Sequence, residues 1–221
     1  MAQNLDSIMD EIAKISEELG PISSADVPNI DLYMDQVTTI LDEMLGPITR
    51  KPDEDKIITK TMINNYAKNG VLIPPVKKRY SVEHVLMLIA IFYCKSFLSI
   101  SDMDTLFEPL KSACFTGEER AGKVIRKSSK QEKQPGSEDG SEACPALDFK
   151  MVFDDIAARV DEQMRSSLED MKKLTVSSAG TFSDSDEEYR GMLQHIDYCC
   201  RLGSEIYVRQ LLIEREIDKM K

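Results

Sequence analysis

Residues 56–80 read KIITKTMINNYAKNGVLIPPVKKRY, and the fold of the chain turns on how this stretch is read. It carries Lys56, Lys60, Lys68, Lys77, Lys78 and Arg79 and no acid, in a chain of 221 residues with formal charge −11. Those six cations leave −17 on everything else. Its first part predicts a helix, with a hydroxyl of Thr59 or Thr61 capping the start and Gly70 ending it. At about 100° per residue, Thr61, Asn64, Asn65 and Lys68 fall on one side, and Met62, Ile63, Tyr66 and Ala67 on the other. One face can bury. The other presents hydroxyl, amide and ammonium groups, which hold phosphates or read base edges; an Asn amide pairs bidentately with adenine. Past Gly70, Pro74-Pro75 forbids helix. VLIPPVKKRY therefore reads as a short, tight β-loop whose Lys77, Lys78 and Arg79 suit phosphate contact.

Working outward, Ser81 is placed to cap a following helix, and Val85–Cys94 is apolar nearly all round, which predicts a buried central helix. His84, at its start, reads as a capping or packing residue. Next, Ser99 or Ser101 can cap a short helix over Asp102–Leu106, with Met103, Leu106 and Phe107 facing in and Pro109 marking its end or a kink. Upstream, Leu19-Gly20-Pro21-Ile22 and Leu45-Gly46-Pro47-Ile48 each read as a helix stop in which Gly turns left-handed and Pro cannot continue. They predict helices near Leu5–Leu19 and Asp31–Leu45. The first lines up Leu5, Ile8, Ile12, Ile15 and Leu19 on one face. The second lines up Leu32, Met34, Val37, Ile40, Leu41 and Leu45 less cleanly.

Downstream, Ser128–Glu142 has no bulky apolar side chain and predicts a disordered tether, because burial cannot offset its ordering entropy. Phe149, Phe153, Ile156, Val160, Met164, Leu168 and Met171 then predict an amphipathic helix, followed by a polar loop over Ser177–Asp186. In the last segment Tyr189, Met192, Ile196, Cys199, Gly203, Ile206, Gln210, Ile213, Ile217 and Met220 alternate three and four apart. Eight of these ten are apolar. Such a heptad seam serves either a homodimeric coiled coil or a long helix packed within its own domain.

Composition bounds the rest. Hydrophobic content is 42%, charged content 30%, and Trp is absent, which fits a charge-rich, mostly helical globular chain. Asp6, Asp10 and Glu11 interrupt what a signal peptide would need, and Val85–Cys94 falls short of the roughly 20 apolar residues that span a bilayer. A cytoplasmic protein without membrane contact is expected. The five cysteines, Cys94, Cys114, Cys144, Cys199 and Cys200, show no CxxC spacing, and His84 and His195 are far apart, so reduced thiols and no metal site are expected. No nucleophile elbow, phosphate loop, HExxH or Cys/His pairing is present. His195 reads as a helix-surface residue. The chain is read as a non-enzyme without a cofactor, and the sequence names no small-molecule effector.

Thr61-x-x-Asn64-x-Tyr66-x-x-x-Gly70-Val71-Leu72-x-Pro74, with Arg79-Tyr80 opening a helix, resembles the winged helix-turn-helix of MerR-type regulators. TKTMINNYAKNGVLIPPVKKRYSVEHV, residues 59–85, more closely resembles the bacterial domain of unknown function 1836, over about residues 30–110. The resemblance implies a small helical, MerR-like winged-helix domain at 29–115, and with the composition and periodicity the whole chain is expected to be all-α. An N-terminal helix (1–28) precedes it; a linker (116–147) and a C-terminal long helical region (148–221) follow. It further implies a DNA-binding transcription regulator that meets duplex DNA through helix 60–69 and the basic wing 73–80. Lys60, Thr61, Asn64, Asn65 and Lys68 would face the groove, and Lys77, Lys78, Arg79 and Tyr80 the backbone. One departure stands out. Gly46–Lys56 replaces the short turn between the first two helices of the MerR type and carries Asp53, Glu54 and Asp55. The alternative is a protein–protein adaptor that turns the same basic surface to an acidic partner.

Overall fold

The computed structural model describes residues 6–51, 57–115 and 147–221. Among them run seven α-helices and no strand. They are α1 (Asp6–Glu18), α2 (Met34–Leu45), α3 (Lys60–Asn69), α4 (Val82–Cys94), α5 (Ile100–Cys114), α6 (Phe149–Ala179) and α7 (Glu187–Asp218). The chain forms two compact units. One comprises Ser23–Asp155 with Met220–Lys221, the other Met1–Ile22 with Ile156–Lys219. The expected tether falls within 116–146, outside the described residues, as do Cys144, Lys56 and the acidic Asp53–Asp55 of the α2–α3 connection.

The first unit is built around α4. Val82, His84, Val85, Leu86, Met87, Leu88, Ile89 and Ile91 are all buried, as a helix apolar on every side requires. His84 helps to start it: its Nδ1 accepts from the Ser81 backbone N–H at 3.2 Å and lies 2.9 Å from the Ser81 hydroxyl. The imidazole thus takes the place that Glu or Gln holds in a capping box. Its ring stands edge-on to Tyr80 and Phe115, and Phe115 to Phe149. Around α4, α2 buries Val37, Leu41 and Leu45, α3 buries Ile63 and Tyr66, and α5 buries Met103 and Phe107.

Two local readings are corrected. Leu-Gly-Pro-Ile does end α2, but Gly46 keeps right-handed φ −53° and ψ −51°, and the chain tightens into a 3-10 turn, Gly46–Ile48, with Pro47 in its first positions. Proline alone suffices there, since its fixed φ suits the first turn of a helix. The helix after Ser99 runs on through Pro109 to Cys114. Ser99 caps it, its hydroxyl accepting from the Asp102 N–H at 3.1 Å. Pro109 is exposed, so water can satisfy the Thr105 carbonyl that loses its partner.

In the second unit α6 and α7 are joined near the turn between them. Ser178 donates to Asp197 at 2.8 Å, Gln194 to the Ala179 and Thr181 carbonyls at 2.7 and 3.0 Å, and Arg201 to Ser177 at 3.2 Å. Of the heptad positions, Ile217 is buried and Gln210 and Ile213 are half-buried, whereas Tyr189, Met192, Ile196, Cys199, Gly203 and Ile206 are exposed.

Candidate nucleic-acid interface

Helix α3 starts at Thr59, whose hydroxyl accepts from the Met62 N–H at 3.2 Å, and ends at Gly70, φ +87°. Only glycine takes that conformation without strain. A Cβ there would also come within 3.2 Å of an Asp104 carboxylate oxygen. The closeness has a cause on α5. Lys111, 1% exposed, donates to the Gly70 carbonyl at 2.6 Å and to Asp104 at 2.5 Å, and pairs with Glu108 at 3.0 Å. An ammonium at the C-terminal end of a helix also suits its dipole. With Ile63 and Tyr66 buried on the other side, Thr61, Asn64, Asn65 and Lys68 form one exposed polar face, and Lys60 is exposed at its start. Burial pushes the Tyr66 phenol up from its ordinary value. The two amides differ: Asn65 already accepts from the Asn69 side chain at 2.9 Å, through its own carboxamide oxygen.

After Gly70, Val71, Leu72 and Ile73 drop into the core, and the chain turns back at Val76–Arg79. The Arg79 N–H meets the Val76 carbonyl at 2.9 Å. Tyr80 then pairs with Leu32 through two backbone hydrogen bonds of 2.8 Å. The two central residues of the turn, Lys77 and Lys78, have φ of +50° and +64°. Two-residue hairpin turns with both φ positive favour Asn-Gly; lysine there costs about 1 kcal/mol or more per residue. Val76, Lys77, Lys78 and Arg79 are exposed. Tyr80 is not: it is 3% exposed, and burial raises its phenol pKa. The expectation of a Tyr80 surface contact is therefore corrected; its side chain belongs to the core.

The first turn of α2 draws the two basic elements together. Arg79 lies over the Tyr33 ring at 5.1 Å and reaches its hydroxyl at 3.3 Å, a cation–π contact. Two residues on, Asp35 forms an ion pair with Lys60. The start of α3 and the turn thus flank one point on α2, whereas Lys68 stands roughly 12 Å further along α3. Tyr33 and Asp35 carry no signal of this role in the sequence, where only the apolar face of α2 stands out. The segment free of acid in sequence meets carboxylates in space, Asp35 at Lys60 and Asp104 beside Gly70.

Residues 22–127 match the family model Domain of unknown function (DUF1836). The match spans just under half of the chain and includes α2 to α5 and the basic turn. No curated protein and no solved structure matches the chain. Among the described residues no three His, Cys, Asp or Glu side chains gather to hold a metal ion, and no helix is long and apolar enough to cross a membrane.

Proposed function

We propose that this chain is a DNA-binding regulator of the winged helix-turn-helix kind, with α2 and α3 as the helix pair and Val76–Arg79 as the tip of the wing. The observation that carries the reading is Lys77-Lys78 at two left-handed positions. Strain of this kind persists where the surroundings enforce it and a function uses it. A turn built for stability alone would hold Asn-Gly; this one, joined through Tyr33 to the start of α2 where Asp35 pairs with Lys60 of α3, holds two cations out to solvent. Lys77 and Lys78 meet phosphates, Arg79 does so while stacked on Tyr33, and Thr61, Asn64 and Lys68 face base edges.

Asn64 is the reader and Asn65 the lesser group, because Asn69 engages the Asn65 carboxamide. Selection of bound duplexes from a random pool, followed by titration, tests this. Asn64→Ala loses about 1–3 kcal/mol on the selected site and little on random DNA, and Asn65→Ala loses less. If both variants retain parental discrimination, α3 is not the reading helix. If no duplex is enriched, the same cations serve an acidic protein surface.

A further inference from the structure

We propose that α7 pairs with α7 of a second copy of this chain, antiparallel, about a two-fold axis at the level of Ile196–Cys199. The inference is independent of DNA binding. It starts from an inversion in the hairpin. In its first half α7 meets α6 through Gln194, Asp197 and Arg201, which bond to Ser177, Ser178, Ala179 and Thr181, and it buries Tyr198 alone. The opposite side carries the exposed stripe of Met192, Ile196, Cys199, Gly203 and Ile206, with Tyr189 at its edge; Met192, Ile196 and Ile206 are 52, 51 and 63% exposed. Even with α1 in the same unit, the stripe faces water, and a folded chain gains nothing from that.

Gly203 points the same way. It lies inside a long helix, where glycine is unfavourable, yet a Cβ there would meet nothing within 4 Å. Nothing among the described residues of its own chain calls for glycine; a second helix passing close would.

Register follows from size and charge. Antiparallel coiled coils stack a against d positions. One register places Tyr189 opposite the partner's Ile206, Met192 opposite the partner's Gly203 and Ile196 opposite the partner's Cys199. The large thioether fills the space over glycine, and every stripe residue has a stripe partner. The same register brings Glu188 to the partner's Arg209, twice by symmetry, an interface of the isologous kind. Both side chains are exposed; Arg209 rests 3.7 Å from Glu205 of its own helix. A parallel pairing would instead set Glu188 against the partner's Leu193.

Light scattering on the full chain at tens of micromolar should give twice the 25.0 kDa chain mass, falling to one chain mass in Ile206→Glu with helical circular dichroism retained. Glu188→Arg and Arg209→Glu should each weaken dimerisation about tenfold, and the double reversal should restore it. This charge pair decides the matter even if Ile206→Glu unfolds. A monomeric parent, a dimer untouched by Ile206→Glu in its folded form, or reversals whose effects simply add would overturn the proposal.

Discussion

Lys77 and Lys78 hold the positive φ values that hairpin turns normally give to Asn-Gly, and under the proposed function this sets stability against binding within one turn. Replacing them together, Lys77→Asn with Lys78→Gly, should raise unfolding stability by about 1–2 kcal/mol and weaken duplex binding. Urea unfolding beside a DNA titration reads both; a variant that is no more stable removes the argument from strain. A second residue-scale effect lies at Asp154 on α6. Its carboxylate accepts from the Ser24 N–H and hydroxyl, each at 2.6 Å, and from the Ser23 hydroxyl at 3.3 Å. These bonds, that of the Ser24 N–H foremost, hold its pKa below the ordinary value. A depressed carboxylate contributes stability that is full above the unfolded pKa of about 3.9 and vanishes as pH falls through the lower folded value. Unfolding measured from pH 6 down to 2 should show Asp154→Asn less acid-sensitive than the parent, and equal slopes would contradict the assignment. Neither contact was legible in the sequence: Ser24 and Asp154 are 130 residues apart, and a lysine pair says nothing of its own φ.

At the scale of elements, Lys111 fixes α3 against α5. Lys111→Ala should cost about 1–3 kcal/mol, toward the lower end if water reaches the partly exposed Asp104 and Glu108. Gly70→Ala should cost about 1–2 kcal/mol, because Ala strains at positive φ and crowds Asp104. Since both changes act on one cluster, their effects should fall short of the sum in a double-mutant cycle; strict additivity would count against the latch. Elements were legible where pattern and local chemistry agree. Thr59, Gly70 and the Ile63–Tyr66 face gave α3, and the unbroken apolar run gave α4. A mid-helix proline normally ends a helix, so the sequence predicts too short an α5; its exposure makes Pro109 tolerable. Lys111 lies in the part of α5 beyond that proline, so its role is not legible either. In α7 the heptad pattern cannot tell its two ends apart: Ile217 is covered while Ile206, of the same type, is 63% exposed.

The whole chain carries −11 at neutral pH, so any hold on DNA depends on a local field. Asp35 already offsets Lys60, which leaves Lys68 and the turn cations as the cationic groups of the candidate surface. The all-helical class was legible from composition and periodicity. The grouping of the N-terminal segment with Ile156–Lys219 in one unit was not, because no local signal links segments so distant in sequence. The central claim is that the basic turn meets phosphate, and the salt dependence of binding tests it most directly. Fluorescence anisotropy with a labelled duplex, from low to moderate salt, should show the logarithm of the parent's affinity falling linearly with the logarithm of salt concentration. Lys77→Ala/Lys78→Ala/Arg79→Ala, with parental circular dichroism and Tm, should flatten that slope by about two to three units, near one per lost phosphate contact. An unchanged slope in the folded triple variant, or a parent that binds no duplex at low salt, would contradict the account.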